Sequence, residues 1–255
     1  MQFNRRSSLK LGAAALGMAA IPRLAAAQDA NSFAVEGGNL VIHPVDHASM
    51  VIQTPSQVIW VDPVGGAEKY AALPRPGLIL ITHEHGDHYD APTLEAIGTE
   101  APIITNPAVH AMLPEALKAR ATAMENGGQA MQGDIGIEAV PAYNVTEDRL
   151  QYHPEGRDNG YVLTIGGKRV YIAGDTEDTP QMKALTGIEI AFLPMNLPYT
   201  MTVEQAAAGV EGFKPAFVYP YHHRGSDLEA FRALVEGGTS GSQVIIADWY
   251  PGGGA

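Results

Sequence analysis

The stretch Leu78-Ile79-Leu80-Ile81-Thr82-His83-Glu84-His85-Gly86-Asp87-His88 places three histidines and an aspartate directly behind a run of four aliphatic residues. A short continuous apolar run after Pro76-Gly77 reads as a buried strand. Along an extended chain, side chains two apart point the same way, so His83 and His85 are expected to converge on one ion. Gly86 is expected to turn the chain by adopting backbone angles that other residues avoid. Asp87 and His88 would then face a second ion, while Glu84, lying between two ligands, points away. Imidazole and carboxylate donors suit Zn²⁺, with iron or manganese as alternatives.

The rest of the composition narrows the chemistry. The chain has 255 residues, 45% of them hydrophobic, and no cysteine. It can therefore bury a substantial core, while disulfides, thiolate ligands and thiol catalysis are excluded. Its formal charge of −12 argues against nucleic-acid binding, which needs a basic surface. Nine histidines remain to build a transition-metal site.

Strands are expected at Leu40–His43, Met50–Gln53, Gln57–Val61 and Pro102–Thr105 around the central run. A helix is expected over Ala91–Ile97, with Asp90 as N-cap and Pro92 in its first turn. A mostly helical stretch is expected over Val109–Met124, with Pro114 restarting it. In the second half, Gly136–Ala142 alternates, and Tyr161–Ile165 and Val170–Ala173 flank Gly166-Gly167 as a hairpin. Ile188–Leu193, Phe217–Tyr219 and Val244–Ile246 read as strands. Pro180–Leu185, Thr202–Gly212 and Asp227–Val235 read as helices. Strands followed by helices in each half predict an α/β (α+β) architecture of two packed sheets with helices outside.

Residues 1–27 differ from the rest. Arg5-Arg6 precedes an apolar, Ala/Gly-rich run from Leu11 to Ile21, which ends near Ala25-Ala26-Ala27. This resembles a twin-arginine signal peptide, and it predicts a periplasmic or secreted protein handled by the twin-arginine export machinery. The apolar run falls short of the roughly 20 residues needed to span a bilayer, so no stable span is expected after cleavage. Cleavage removes Arg5, Arg6, Lys10 and Arg23 and no acid, taking the charge from −12 to −16. Residues 28–255 are then a single mature domain.

His83-x-His85-x-Asp87-His88 resembles the signature of the metallo-β-lactamase-fold hydrolases. Three further segments are similar to that family in order and spacing. Ala173-Gly174-Asp175-Thr176 resembles its Gly-Asp segment, Tyr219-Pro220-Tyr221-His222 its final histidine, and Asp62-Pro63 its early supporting aspartate. His47-Ala48-Ser49 is similar to the branch containing ascorbate-phosphate lactonase-like proteins. The resemblance implies an αββα sandwich with metal at one edge, between the halves. It also implies His83, His85, Asp87, His88, Asp175 and His222 as metal ligands, with Asp175 bridging two ions. His47 becomes a candidate catalytic residue, and His222 is preferred over His223 as ligand.

One position departs from the family. A third histidine for the first ion is expected near Val140-Pro141-Ala142-Tyr143-Asn144, and Asn144 stands there instead. Either Asn144 or His153, nine residues on, would complete the site, and His153 is also a candidate substrate contact. The loop from Arg149 to Gly160 carries Arg149, His153 and Arg157 and would offer positive charge to an anionic substrate; Arg224 is a further candidate contact.

The activity implied is hydrolysis of an ester, lactone, amide or phosphodiester bond in a small-molecule substrate. One or two divalent ions, zinc in the first instance, would lower the pKa of water from about 15.7 to near 7, with Asp87 orienting the resulting hydroxide or taking up a proton. A non-catalytic metal- or ligand-binding protein on the same fold is the alternative, motivated by Asn144. An iron-dependent oxidoreductase is a third reading, which a di-iron absorption band would favour.

Overall fold

The computed structural model describes Met1 and residues 31–251. The segment read as an export signal lies outside them. Two seven-stranded sheets face each other. The first runs in sequence order through β1 (Ser32–Val35), β2 (Gly38–Asp46), β3 (Ser49–Gln53), β4 (Val58–Val61), β5 (Leu78–Ile81), β6 (Ile103–Thr105) and β7 (Ala121–Ala123). Its first four strands pair antiparallel and its last four parallel. The second sheet repeats that plan with β8 (Gln129–Gln132), β9 (Ile135–Ala142), β10 (Asp158–Ile165), β11 (Lys168–Ile172), β12 (Ile188–Pro194), β13 (Phe217–Tyr221) and β14 (Gln243–Val244). Here β8 to β11 are antiparallel and β11 to β14 parallel.

Strand periodicity explains the layers. In β5, Leu78 and Leu80 join the core between the sheets, with Ile42, Ile52 and Ile59 from one side and Ile137, Leu163 and Phe192 from the other. Ile79 and Ile81 face outward against Leu94, Val109 and Leu117 of α1 (Ala91–Ala96), α2 (Pro107–Met112) and α3 (Glu115–Lys118). A strand buried on both faces must be apolar throughout, and this one is. On the far side, Tyr171, Ala191, Leu193 and Val218 pack against α4 (Pro180–Lys183), α5 (Val203–Phe213) and α6 (Leu228–Glu236). Each fully buried aliphatic side chain contributes on the order of 2 kcal/mol. The result is the expected αββα sandwich.

Local signals account for most element ends. Thr202 caps α5 in a reciprocal box with Gln205, and Asp227 caps α6 through the Ala230 N–H. The stretch Val109–Met124 departs from expectation. Pro114 lacks an N–H to continue α2 and restarts the chain as a second short helix, as expected, but Ala121–Ala123 becomes an edge strand parallel to β6. Strands β1 and β8 were not anticipated; both lie at sheet edges, where the hydrophobic pattern is weak.

Candidate metal centre

The site forms where the chain leaves the C-terminal ends of β5 and β13. After Ile81 the chain makes one helical turn, with the His85 carbonyl accepting from the N–H groups of His88 and Tyr89 at 2.9 and 2.8 Å. Gly86 does not take a left-handed φ, contrary to expectation, because this turn is right-handed. The left-handed positions lie elsewhere. Among the described non-glycine residues, positive φ occurs at His47, Asp62, Lys214 and His222. Three of these four belong to the site, and such conformations cost of order 1–3 kcal/mol each. The His222 N–H donates to the His47 carbonyl at 3.0 Å, and the His47 N–H donates to that of Trp249 at 3.0 Å. The backbone thus joins the two halves of the chain at the site.

Three groups of donors converge there: His83, His85 and His153; His83, His88 and Asp175; and His47, Asp87 and His222. Asp175 lies among all three. Its Oδ2 is 3.3 Å from His222 Nε2, 3.5 Å from His153 Nε2 and 3.9 Å from His83 Nε2, while Oδ1 is 3.4 Å from His88 Nε2. Asp87 Oδ2 lies 3.3 Å from His222 Nε2 and 3.4 Å from His47 Nε2. Gly174 holds Asp175 in place at φ +66°, where a Cβ would lie 2.8 Å from the Asn159 carbonyl oxygen.

Asp62 supports the ligand loop as expected. Its carboxylate accepts from the Thr82 N–H at 2.8 Å and hydroxyl at 2.7 Å, and meets His88 Nδ1 at 2.7 Å. That pairing leaves His88 Nε2 facing the cluster.

His153 occupies the third position beside His83 and His85, with ring centroids 5.0 and 4.8 Å away. Asn144 has its amide oxygen buried without a hydrogen-bond partner, while its N–H groups brace the neighbouring backbone. Its Nδ2 donates to the carbonyls of Arg149 and Tyr199 at 3.0 and 2.7 Å, and its backbone N–H donates to the His153 carbonyl at 2.8 Å. Sequence reasoning missed Asp158, whose Oδ2 is 3.0 Å from His153 Nδ1. Arg157 grips the same carboxylate through Nε and Nη2 at 2.7 and 2.8 Å and reaches Glu84 Oε1 with Nη1 at 2.8 Å. Glu84 therefore turns from the cluster, and one arginine ties the His83–His85 loop to the His153 loop. A carboxylate five residues after a candidate histidine was the available signal. Tyr250 was also missed; its hydroxyl is 2.7 Å from His47 Nδ1.

Electrostatics favour a cation. Burial pushes His83, His85 and His47 below the ordinary imidazole value, toward the neutral form that binds metal. Burial alone would lower His88 too, but Asp175 and Asp62 outweigh it and raise it well above the usual value. Asp87 and Asp175 are opposed by burial yet held well below the carboxylate range, chiefly by His222 in both cases. A carboxylate as buried as Asp175 would cost several kcal/mol without positive charge beside it. His88 Nε2, His153 Nε2 and Asp175 Oδ1 are buried with no hydrogen-bond partner. Unpaired buried nitrogens and oxygens aimed at one another fit metal coordination by imidazole and carboxylate.

A model of the beta-lactamase superfamily domain matches residues 41–222, which spans every one of these donors. This chain belongs to the metal-dependent hydrolases of that superfamily. It is 32% identical over 204 residues to a UPF0173 metal-dependent hydrolase of Pyrococcus abyssi, covering 74% of this chain and 89% of that one. It is 33% identical over 185 residues to another from Thermoplasma acidophilum, covering 68% and 79%. A crystal structure of a metal-dependent hydrolase from Parabacteroides distasonis superposes with a TM-score of 0.78 at 42% identity, covering 86% of this chain and 98% of that one.

This hydrolase opens the cluster to solvent through a cavity of about 410 Å³. His47, Asp87, His153 and His222 line it together with Tyr152 and Arg224. Arg149 and Arg157, expected to offer charge to a substrate, do not line this cavity. Arg149 Nη1 is bound to Glu177 Oε1 at 2.7 Å, and Arg157 is held by Glu84 and Asp158. Glu177 is fully buried and also accepts from the N–H groups of Val145 and Thr146, both at 2.6 Å, so it pins the segment that leads to His153.

Proposed function

We infer that this hydrolase holds two adjacent divalent ions, zinc in the first instance, and cleaves an ester, lactone, amide or phosphodiester bond of a small molecule. The position of Asp175 carries this reading, since one carboxylate stands between the three-histidine group and the Asp87–His222 group. His83, His85 and His153 would hold one ion, Asp87, His88 and His222 the other, and Asp175 both. His47, which meets Asp87, becomes a further candidate donor to the second position. Ions held there would supply Lewis-acid charge and a water ionisable near neutral pH.

The chain's own groups complete the chemistry. Asp87 is the exposed acid of the cavity, and the imidazoles of His222 and His47 hold it ionised. As an ionised acceptor it is placed to orient an attacking water. Tyr250 fixes the His47 ring by bonding Nδ1, which leaves Nε2 toward Asp87.

Export by the twin-arginine route belongs to the same proposal. It is supported by Arg5-Arg6, the apolar run and the Ala25-Ala26-Ala27 site. A route that carries folded proteins suits a chain whose ligands come from both halves.

Elemental analysis of natively exported protein tests the reading. Close to two ions per chain, with turnover of an ester, lactone or phosphodiester panel, is expected. Metal without turnover of any of these would favour the non-catalytic binding protein, and folded protein with no metal would overturn both. N-terminal sequencing of the exported form should begin near Gln28.

A further inference from the structure

We propose that the substrate carries an oxyanion, a carboxylate or phosphate separate from the scissile bond, and that Arg224 binds it. This deepens the hydrolase reading and rests on it. Of the arginines near the site, two are already neutralised inside the fold: Arg149 by Glu177, and Arg157 by Glu84 and Asp158. Arg224 alone among lysines and arginines lines the cavity, and no carboxylate of the described residues pairs with it.

Arg224 is nevertheless held. Its guanidinium lies 5.5 Å above the Tyr250 ring. The Tyr250 hydroxyl is fixed in turn, 2.7 Å from His47 Nδ1 and accepting the His223 N–H at 3.2 Å. A cation over an aromatic face keeps its charge and its N–H donors free for a ligand. An exposed guanidinium with no carboxylate partner matches the two oxygens of a carboxylate or phosphate. In a chain of net charge −12, the general field repels anions, so a local cation of this kind decides whether one binds.

The cavity also offers aromatic surface. Arg224 follows the His222–His223 turn and lies over Tyr250, which contacts His47. Tyr152 and Tyr199 line the same cavity, edge to face with ring centroids 5.0 Å apart, and Tyr199 is exposed. The anionic group would meet Arg224, and an apolar portion would meet these rings.

The test uses the metal-loaded protein and three 4-nitrophenyl esters of equal chain length, ending in methyl, carboxylate or phosphonate. An anionic ester should be favoured over the methyl ester in kcat/KM, mainly through KM. Arg224→Gln should cut that ratio about tenfold, and Arg224→Lys should keep part of it. Whichever anionic ester is preferred names the oxyanion. An unchanged ratio in an Arg224→Gln variant of native thermal midpoint overturns the proposal. If none of the three esters is turned over, the wider lactone and phosphodiester panel still judges the hydrolase reading, and calorimetric binding of glutarate and of a short alkylphosphonate decides the anion site. About tenfold weaker binding of either by Arg224→Gln supports it; equal binding of both overturns it.

Discussion

The Asn144 N–H donates to the carbonyl of His153 at 2.8 Å. The residue standing where a third histidine was expected therefore holds the backbone of the histidine that takes its place. The imidazole arrives from a loop nine residues downstream. Asn144 anchors that loop at the carbonyls of His153 and Arg149 and ties it to the Tyr199 carbonyl of the segment before α5.

The two residues should separate cleanly on mutation. His153→Ala should drop bound metal from close to two ions toward one, read by elemental analysis, with activity lost. Asn144→Ala should retain most of its metal but lose stability, by about 1–3 kcal/mol, because buried carbonyls lose donors. Equal metal loss in both variants would contradict this division.

Asp158 orients His153 through Nδ1 and shares Arg157 with Glu84. Asp158→Asn should weaken the metal by roughly 10–100-fold in chelator competition, the usual effect of losing a carboxylate behind a ligating histidine. Replacing Arg157 with Gln should weaken it less, since Asp158 keeps its bond to the ring. The absorption of a cobalt-substituted protein should change in both, reporting the geometry without turnover.

Acid should loosen the strap behind the site. Burial opposes ionisation of Glu177, but hydrogen bonds from Thr146, Val145 and Gln205 outweigh it and hold the carboxyl below its ordinary value. Its stabilisation is complete above the unfolded carboxyl pKa of about 4.3 and is lost as pH falls through the lower folded value. Glu177→Gln should cost about 2 kcal/mol at neutral pH and flatten the acid limb of stability in urea titrations from pH 6 to pH 3. A parallel acid limb in wild type and variant would disprove the assignment.

Gly174→Ala should destabilise the fold and impair the metal site together. Its φ of +66° and the 2.8 Å approach to the Asn159 carbonyl leave no room for a Cβ. A loss above about 2 kcal/mol is expected, from steric overlap added to the left-handed penalty. Thermal unfolding with and without chelator measures both effects.

Stripping the metals should lower the unfolding midpoint of the wild type. Ions that bind only the folded chain add about 4 kcal/mol at a thousandfold excess over Kd. His83→Ala should narrow the gap between metal-loaded and stripped midpoints.

Much of the layered architecture was legible because burial imposes its own period. The apolar run Leu78–Ile81 could only be a strand covered on both faces, and the Gly166-Gly167 turn fixed the β10–β11 hairpin. The end of Val109–Met124 was misread because helix propensity continues past Lys118 on paper, whereas parallel pairing with β6 captures Ala121–Ala123 in the fold. Gly86 was misread for a similar reason: a glycine permits a left-handed turn but does not demand one. The site was legible where its residues are close in sequence, as in His83 to His88. It was also legible where a short motif marks a strand end, as at Asp175 and His222.

The sequence by itself determined the sandwich, the superfamily and the clustering of His and Asp donors, since these follow from local periodicity and closely spaced motifs. Only the tertiary structure decided that His153 rather than Asn144 joins His83 and His85, that Asp158 orients it, and that Arg224 rather than Arg149 or Arg157 lines the cavity. The reason is physical. A side chain's role here depends on which partner neutralises it, and Glu177 lies 28 residues from Arg149 while Glu84 lies 73 from Arg157. Sequence order carries no record of such pairings, because they arise only when strand ends distant in sequence are brought together, within one sheet for Arg149 and Glu177 and between the two for Arg157 and Glu84.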